Sequence, residues 1–415
     1  MDDSKKVLVA MIGAPSDGYK ETKYLLEGEK VASTFSFYAI NKKYRPHKIY
    51  LIGTRDSIWT KIPEDLKYEE VLIDYGVTEK EHWAIFNTLT RLNLDDQRVI
   101  FDLTYGFRTL PLICLLSIIY YKAIHPKMKI DKILYGMYDA RDKENITSVV
   151  DLVDFFKIVD WLYAAKIFAE FGLGSALSEQ IKDIHNEQLT PLADGINNLS
   201  TTLQMIYLNL LRDNADKVNR QLSRISASDE AFLSPLRLIE PEISRLIGII
   251  RRQGKDWEYQ LSMAEWYFQN HQYAHTIITL RETVITFIGE SLDAPLSTRE
   301  DRKKAEELIY PKIRTETQRQ SKEIKRIFSR TKIPSLLNEI TDIRNRVGHA
   351  LVVIPDNASV SDANLIKGLI KKSKEIFSDV NTKSAMESLK KYVIDNSIVN
   401  TKVPTTDDLE AKYNS

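Results

Sequence analysis

Residues 98–124 read RVIFDLTYGFRTLPLICLLSIIYYKAI, and three kinds of sequence follow one another in them. The first six residues are mostly apolar and include β-branched side chains, which is typical of a buried strand. Residues 104–108 then supply hydroxyl groups, a glycine and an arginine, and a helical pattern begins at Arg108. A strand that passes through a polar turn into a helix is the unit from which α/β sheets are built.

The same alternation extends over the first part of the chain. Further strands are predicted at residues 7–12, 48–52, 70–75, 132–138 and 147–152, and a second helix at 79–92. We therefore expect an N-terminal Rossmann-like parallel sheet with helices on both faces. From about Phe156 the strand patterns cease and apolar residues recur every three or four positions. The predicted fold class is α/β plus all-α, with a sheet domain (1–155), a helical connector (156–250) and a C-terminal helical domain (251–415).

Composition excludes several classes of protein. The 415 residues include 58 Lys and Arg against 58 Asp and Glu, and 43% of the chain is hydrophobic. This composition excludes a disordered or fibrous chain and a protein coated with basic residues for DNA.

The single cysteine, Cys114, stands between apolar neighbours, so we expect a buried thiol in a reducing compartment. The first residues do not resemble a signal peptide, and the longest apolar run, 110–121, is too short to span a bilayer. We expect a cytoplasmic protein that does not enter a membrane.

Three glycine-containing polar loops follow predicted strands, at residues 13–24, 53–57 and 104–108. In open parallel sheets, ligands bind where such loops converge beyond the carboxyl ends of the strands. Hydroxyls and free backbone N–H groups suit phosphate or nucleotide oxygens, so the loops predict a nucleotide-like ligand. None of them has the Walker A or G-x-G-x-x-G pattern, which argues against an ATPase or a dinucleotide dehydrogenase. The alternative is that they are ordinary turns between strands and helices.

A second candidate site is the hexapeptide RNRVGH at residues 344–349. It belongs to a predicted helix whose core face holds Leu336, Ile340, Ile343, Val347, Leu351 and Ile354. A histidine can transfer protons near neutral pH and an arginine can stabilise a charged phosphate, which together permit metal-free RNA cleavage with the substrate 2′-OH as nucleophile. Arg344 and His349 lie about 140° apart around a helix, whereas Asn345 and His349 share a face. One helix thus offers an incomplete site, which two copies across a two-fold axis could complete. The alternative is that His349 is a capping or core histidine near a helix end.

Residues 312–332 contain eight Lys or Arg and two Glu, a net charge of +6. This segment is interpreted either as an RNA-facing surface or as a solvated helix face.

The pair His271 and His275 has the i, i+4 spacing of some metal ligands, but no HExxH context and no cysteine accompanies it. It is assigned to a turn between two helices, and we predict no metal and no cofactor.

Taken together, these segments resemble the CRISPR-associated CARF–HEPN ribonucleases, accessory effectors of type III CRISPR systems. The resemblance rests on the first loop, on Ile52-Gly53-Thr54, on the segment 102–108 and on the motif that begins at Arg344. The segment 102–108 is the most specific part. The family commonly reads D-x-T-H-G there, and in this sequence Tyr105 replaces the histidine.

The resemblance implies a CARF domain (1–155) that binds a cyclic oligoadenylate across a dimer axis, and a HEPN domain (251–415) that cleaves single-stranded RNA without a metal in antiviral defence. Cyclic tetra-adenylate is the preferred activator, with cyclic hexa-adenylate as the alternative. The protein would be a homodimer or a higher homo-oligomer of dimers. The matching catalytic positions are Arg344, Asn345 and His349. The matching ligand positions are Gly13, Tyr19, Thr22 and Tyr24 in the first loop, Thr54 in the second, and Thr104, Tyr105, Gly106 and Arg108 in the third.

Two other functions stay open on the sequence alone. One is a CARF-type regulator that binds its ligand and a partner but does not cleave RNA. The other is a CARF protein that also degrades the cyclic oligoadenylate and so ends the signal.

Overall fold

The computed structural model of the chain describes residues 6–15, 18–106, 109–125, 127–226, 234–251, 254–296, 298–309, 318–348, 358–396 and 398. The chain divides into two compact units, Met1–Val159 and Asp160–Ser415. The first unit contains the strands, and the described elements of the second are helical. The predicted fold class, α/β followed by all-α, is confirmed.

The first unit is built on one eight-stranded sheet with the order β3-β2-β8-β7-β6-β1-β4-β5. Its strands are β1 (Lys6–Met11), β2 (Thr22–Leu26), β3 (Glu29–Ser33), β4 (Lys48–Gly53), β5 (Glu69–Leu72), β6 (Arg98–Asp102), β7 (Lys129–Gly136) and β8 (Ile146–Asp151). Its helices are α1 (Ser36–Tyr44), α2 (Glu79–Leu89) and α3 (Leu110–Ile124).

The sheet is mixed, which corrects the prediction of a parallel sheet. The pairs β1–β4, β1–β6, β4–β5, β6–β7 and β2–β8 are parallel, but β2–β3 and β7–β8 are antiparallel. The reason lies in the connections, because a short turn can join only antiparallel neighbours while parallel neighbours need a long crossover. The sequence pattern predicts the strand near 147–152 but not the direction in which it pairs.

The hairpin of β2 and β3 was missed. Between the two strands, Glu27 and Gly28 have φ values of 48° and 83°. Positive φ at both central residues is the backbone of a type I′ turn, which fits the twist of a two-stranded ribbon. The strands are short and only half buried, so their side-chain pattern resembles that of a polar loop.

Helices cover both faces of the sheet, and each strand contributes alternate residues to the two cores. In β1, Val7, Val9 and Met11 join a cluster with residues of α2 and α3. Leu8 and Ala10 join a second cluster that includes residues of α1. Cys114 is buried in the first cluster, as predicted, and burial raises the pKa of its thiol to about 12.

The second unit follows as a series of helices: α4 (Val153–Phe171), α5 (Ser175–Lys182), α6 (Thr190–Gln204), α7 (Leu208–Ser226), α8 (Ser234–Ile250), α9 (Asp256–Gln269), α10 (Tyr273–Ser291), α11 (Arg299–Ile309), α12 (Gln318–Phe328), α13 (Ile333–Gly348), α14 (Ala358–Ser378) and α15 (Val380–Asp395). Helix α4 begins just before the boundary between the units. Within the described ranges, no helix combines the length and the apolar run that a bilayer crossing requires.

Two hydrophobic clusters stabilise the helical unit. One contains buried residues from Trp161 to Tyr267, and the other contains buried residues from Leu261 to Val393. Helix α9 belongs to both, because Met263 faces the first cluster while Leu261 and Ala264 face the second. The predicted division at residue 250 stays a prediction, and the first cluster extends past it.

Candidate functional site

Three loops converge at one edge of the sheet, beyond the ends of β1, β4 and β6. These strands are neighbours and run in the same direction, so their carboxyl ends lie side by side. Backbone hydrogen bonds continue past the strands: the Ile12 N–H donates to the Ile52 carbonyl at 2.9 Å, and the Ile58 N–H to the Gly13 carbonyl at 3.2 Å. We call this region the sensor edge.

The first loop is closed by Tyr19. The Gly13 N–H donates to Tyr19 Oη at 3.2 Å, and a Cβ atom on Gly13 would lie 2.5 Å from that oxygen. The Tyr19 ring packs against Tyr105, with 4.1 Å between ring centroids. Burial raises the pKa of Tyr19 to about 12, so its hydroxyl is neutral at physiological pH. Glycine is thus required where the tyrosine approaches the backbone.

Thr22 and Tyr24 lie in a strand, so the prediction of a loop through residue 24 is wrong. Both are buried in β2. The Thr22 hydroxyl donates to the Asn145 carbonyl and lies 2.8 Å from Thr147 Oγ1, and the Tyr24 hydroxyl lies 2.6 Å from that of Tyr105. The hydroxyl groups read from the sequence as ligand contacts therefore bond to the protein itself.

Hydrogen bonds around Ser57 hold the second loop in place. Its Oγ accepts from the Thr54 N–H at 3.0 Å and donates to the Ile12 carbonyl at 3.0 Å. Trp59 Nε1 donates to the Thr54 carbonyl at 2.8 Å. Thr54 is consequently buried, and Gly53 is enclosed by Ile12, Ser57 and Trp59. Ser57 belonged to the predicted loop 53–57 but was not named as a ligand position, and Trp59 lay outside the predicted site.

The third loop is organised by Asp102, whose carboxylate is buried at 1% exposure. It accepts hydrogen bonds from Ser36 Oγ at 2.5 Å, from Thr104 Oγ1 at 2.5 Å and from the Thr104 N–H at 3.1 Å. Burial raises the pKa of Asp102, and the hydrogen bonds from Ser36 and Thr104 oppose the rise. Thr104 Oγ1 also accepts from the Gly136 N–H at 2.9 Å, which joins the third loop to the end of β7.

Tyr105, in the position of the family histidine, points into the core. It is 7% exposed, its hydroxyl donates to the Thr34 carbonyl at 3.1 Å, and its ring lies among Tyr19, Phe35 and Phe37. Burial raises its pKa above the usual value of 10. Gly106 follows with a φ of 109°, which strains any other residue. Arg108 lies outside the described residues.

The structure therefore brings most of the predicted ligand positions together, but in an unexpected way. Gly13, Tyr19, Tyr105 and Tyr24 form one connected group, and Thr54 joins it through the bonds at Ile12 and Gly13. Thr104 bonds instead to Asp102 and Gly136. The hydroxyl groups of these side chains therefore bond to other groups of the protein.

The helix with the RNRVGH motif is α13. Leu336, Ile340 and Ile343 are buried in the second helical cluster, as predicted. Val347 is 39% exposed, so its assignment to the core is wrong for the isolated chain. Leu351, Ile354 and His349 lie outside the described residues.

At the end of α13 the two described motif residues are close together. Arg344 is exposed, and its Nη1 donates to Asn345 Oδ1 at 3.3 Å. Arg346, one position further, forms an ion pair with Asp362 of α14 at 2.8 Å. The first arginine thus remains available to a ligand, whereas the second is tied to the neighbouring helix.

The described part of the basic segment is largely α12. Ile324, Ile327 and Phe328 are buried, while Lys322, Lys325, Arg326, Arg330 and Lys332 are exposed. Arg326 is paired with Glu323 at 2.7 Å. Residues 312–317 lie outside the described ranges. The described part of the segment is mainly an amphipathic helix with a cationic outer face, which fits either interpretation given above.

The two histidines near residue 270 belong to the connection of α9 and α10. His275 Nε2 lies 3.1 Å from the Gln204 carbonyl, and His271 Nδ1 lies 3.0 Å from Tyr273 Oη. Among the residues that the structure describes, no three His, Cys, Asp or Glu side chains form a group able to hold a metal ion.

The comparisons with known protein sequences find CRISPR-associated proteins. The family model described as "CRISPR-associated protein MJ1674, second domain" matches residues 157–253, nearly the range predicted as the connector. The CRISPR-associated protein MJ1674 of Methanocaldococcus jannaschii is 22% identical over 88% of this chain. The match covers 66% of that relative's own length, so the relative is longer than the part compared.

Among solved structures, the chain is similar to Enterococcus italicus Csm6 bound to cyclic hexa-2′-fluoro-hexa-dAMP. The TM-score is 0.39 and the identity 10%, over 94% of this chain and 100% of that one. A TM-score of this size carries no argument about fold or ligand. The sequence relationship to MJ1674 covers most of the chain, and it agrees with the resemblance of this protein to CRISPR-associated proteins.

Proposed function

We propose that this protein is an endoribonuclease of type III CRISPR antiviral defence that cleaves single-stranded RNA without a metal after it binds a cyclic oligoadenylate. Cyclic tetra-adenylate is the preferred activator and cyclic hexa-adenylate the alternative. The observation that carries the proposal is the end of α13, where Arg344 is exposed beside Asn345 on a helix fixed by its buried face.

The chemistry follows from the three motif residues. The substrate 2′-oxygen attacks the adjacent phosphorus, the bond from phosphorus to the 5′-oxygen breaks, and the products are a 2′,3′-cyclic phosphate and a 5′-hydroxyl. His349 would take part in proton transfer or position the 2′-OH. The Arg344 guanidinium would stabilise the added negative charge of the phosphorane, and Asn345 would orient the phosphate.

Two copies of the chain would supply the site. Because Arg344 and His349 are about 140° apart around a helix, they cannot both contact one phosphate from the same helix face. A second α13 related by a two-fold axis would provide the missing group from its own copy. The exposure of the apolar Val347 at this end of α13 supports such a contact, because a partner helix would cover it.

A surface on α3 supports a homodimer as well. This helix is apolar on two opposite sides, and one side is buried against the sheet. The other side exposes a row of apolar residues spaced four positions apart: Leu112, Leu116, Tyr120 and Ile124, with exposed fractions of 64%, 61%, 49% and 50%. A helix that is apolar all round is normally covered on both sides, and a contiguous apolar patch usually marks a protein contact. We infer that a second copy covers this row.

The activator would bind at the sensor edge. Helix α3 begins directly after the third loop, so an interface along α3 would bring the third loops of both copies near one axis. A ring of nucleotides has its own rotational symmetry, which suits a site shared by two identical chains. Backbone N–H groups at glycine-containing loop ends would bind its phosphates.

Activation requires a difference in affinity. The ligand must bind the active arrangement of the dimer more tightly than the resting one, because a ligand with equal affinity for both shifts nothing. We propose that the helices of residues 156–250 transmit the change to α13.

The decisive experiment uses the full chain and a labelled single-stranded RNA in EDTA, with a panel of cyclic oligoadenylates of different ring size. We expect cleavage only when one ring size is added, with cyclic tetra-adenylate the strongest activator. Binding without cleavage would favour the regulator that lacks ribonuclease activity. Linear products from the cyclic ligand, formed by a His349→Ala variant, would indicate that the sensor domain degrades its ligand.

A further inference from the structure

A fourth loop reaches the sensor edge, after β7, and it contains no residue of the predicted site. The Gly136 N–H, at the end of β7, donates to Thr104 Oγ1 at 2.9 Å. A Cβ atom on Gly136 would lie 3.1 Å from the Thr104 side chain and 3.4 Å from the Tyr24 ring. Tyr138 follows two residues later, so it stands beside the first and third loops.

The feature of this loop is a stacked pair of side chains. The Arg141 guanidinium lies over the Tyr138 ring, 4.1 Å from its centroid. Arg141 Nη1 also donates to the Tyr138 carbonyl at 2.9 Å, which holds the cation in this position. Arg141 is exposed and Tyr138 is partly exposed. The pair thus places a solvent-exposed cation over an aromatic ring.

The loop that carries the pair is held by hydrogen bonds. Asp142 Oδ1 accepts from the N–H groups of Glu144 and Ile146, each at 2.9 Å. Asn145, in the left-handed region with a φ of 60°, donates from its side chain to the Glu21 carbonyl at 3.0 Å. These bonds attach the loop to the start of β2. A surface held in this way loses little conformational entropy when a ligand binds.

A guanidinium stacked on an aromatic ring suits one class of ligand. Nucleobases stack on aromatic rings and on arginine planes, and the cation adds attraction for the neighbouring phosphate. We propose that Tyr138 and Arg141 bind a nucleobase of the ligand by stacking at the sensor edge. The inference rests on the proposed function, because it assumes a nucleotide ligand there.

The test measures binding of a cyclic oligoadenylate that contains one 2-aminopurine, whose fluorescence is quenched by stacking. We expect Arg141→Ala and Tyr138→Ala each to weaken binding about 10-fold, the scale of one lost base stack, and to reduce the quenching. Tyr138→Phe retains the ring and should bind and quench as the wild type does. Thermal melts of all variants verify that they are folded.

The matched control is another cation–aromatic pair. Lys48 Nζ lies 4.2 Å from the centroid of the Tyr50 ring, at the start of β4 and so at the opposite end of the strand from the sensor edge. Lys48→Ala should leave binding unchanged. If the wild type binds and the folded Arg141 and Tyr138 variants bind and quench equally well, the stacking assignment is overturned while the proposed function stands. If the wild type binds no cyclic oligoadenylate, both the proposed function and this inference are overturned.

Discussion

The sensor edge and the end of α13 hold their polar residues in opposite ways. At the sensor edge, the hydroxyls of Tyr24, Thr104 and Tyr105 bond to other protein groups and are largely buried. At the end of α13, Arg344 is exposed and its side chain donates a hydrogen bond to its neighbour Asn345. The first region is shaped within a single chain, whereas we propose that the second gains its full set of groups only from a partner. The difference supports the proposal that the side chains of the sensor edge fix the backbone, while those of α13 carry the chemistry.

The largest effect is expected at α13. His349→Ala and Arg344→Ala should each lower the RNA cleavage rate by at least about 100-fold, because proton transfer and charge stabilisation contribute at that scale. The affinity for the cyclic oligoadenylate should be unchanged. The measurement is cleavage of labelled RNA at saturating activator, together with titration of the activator. The control is Arg346→Ala, which removes a cation from the same helix end but one paired with Asp362. Full activity in either motif variant would remove the basis for calling α13 catalytic.

The next effect concerns the partner that α13 is inferred to need. Leu116→Asp places a charge in the middle of the exposed row on α3, and burying an unpaired charge in an apolar contact costs several kcal/mol. We expect a monomer in light scattering and loss of activated cleavage. Val77→Asp is the control, because Val77 is 80% exposed but lies outside that row. A Leu116→Asp protein that remains dimeric would show that the two copies meet elsewhere.

A smaller effect tests the inward bonds of the sensor edge. The hydroxyl pair of Tyr24 and Tyr105 is buried, so Tyr105→Phe should lower the free energy of unfolding by about 1 to 2 kcal/mol. Tyr24→Phe should cost a similar amount, and the double variant less than the sum of the two. Chemical denaturation of the four proteins gives the coupling energy. Strictly additive losses would mean that the two hydroxyls do not interact.

The smallest effect is a change in how the free energy of unfolding depends on pH, and it concerns Asp102. Burial raises the pKa of Asp102 above its usual 3.8, so the folded state holds the proton more tightly than the unfolded state does. The contribution of this group to stability is therefore greatest below pH 3.8 and falls as the pH rises through its folded-state pKa. Asp102→Asn cannot ionise and should lack that fall. The unfolding free energy of both proteins, measured across this pH range, gives the difference. A constant difference would show that Asp102 does not titrate as its burial implies.

Elements whose local sequence pattern coincides with burial were predicted correctly. The apolar runs of β1, β4 and β6 fit few structures other than a buried strand. The position of the loops that follow them, at one edge of the sheet, follows from the strand directions. The buried face of α13 was predicted at Leu336, Ile340 and Ile343 because helical periodicity reports one face of a long helix. Val347 was assigned wrongly because periodicity does not indicate where the core ends.

The site residues were harder to predict, since a hydroxyl in a loop has the same sequence whether it faces a ligand or the protein. Thr22 and Tyr24 lie in a strand that pairs with the adjacent β3 and with β8, which is more than a hundred residues away in the chain. The proposed Tyr138–Arg141 contact was not predicted because its loop has no glycine-rich or hydroxyl-rich pattern. Its position depends on the bond between Gly136 and Thr104, which no local pattern encodes.

By itself, the sequence determined the two classes of structure, the positions of six of the eight strands, the helix on which the RNRVGH motif begins and the resemblance to a CRISPR-associated family. These properties depend on residues close together in the chain. The tertiary structure decided the mixed directions of the sheet, the inward orientation of Tyr105, the role of Asp102 and the fourth loop at the sensor edge. These depend on contacts between distant segments, where burial and hydrogen-bond geometry, rather than residue type, decide which polar atoms remain for a ligand.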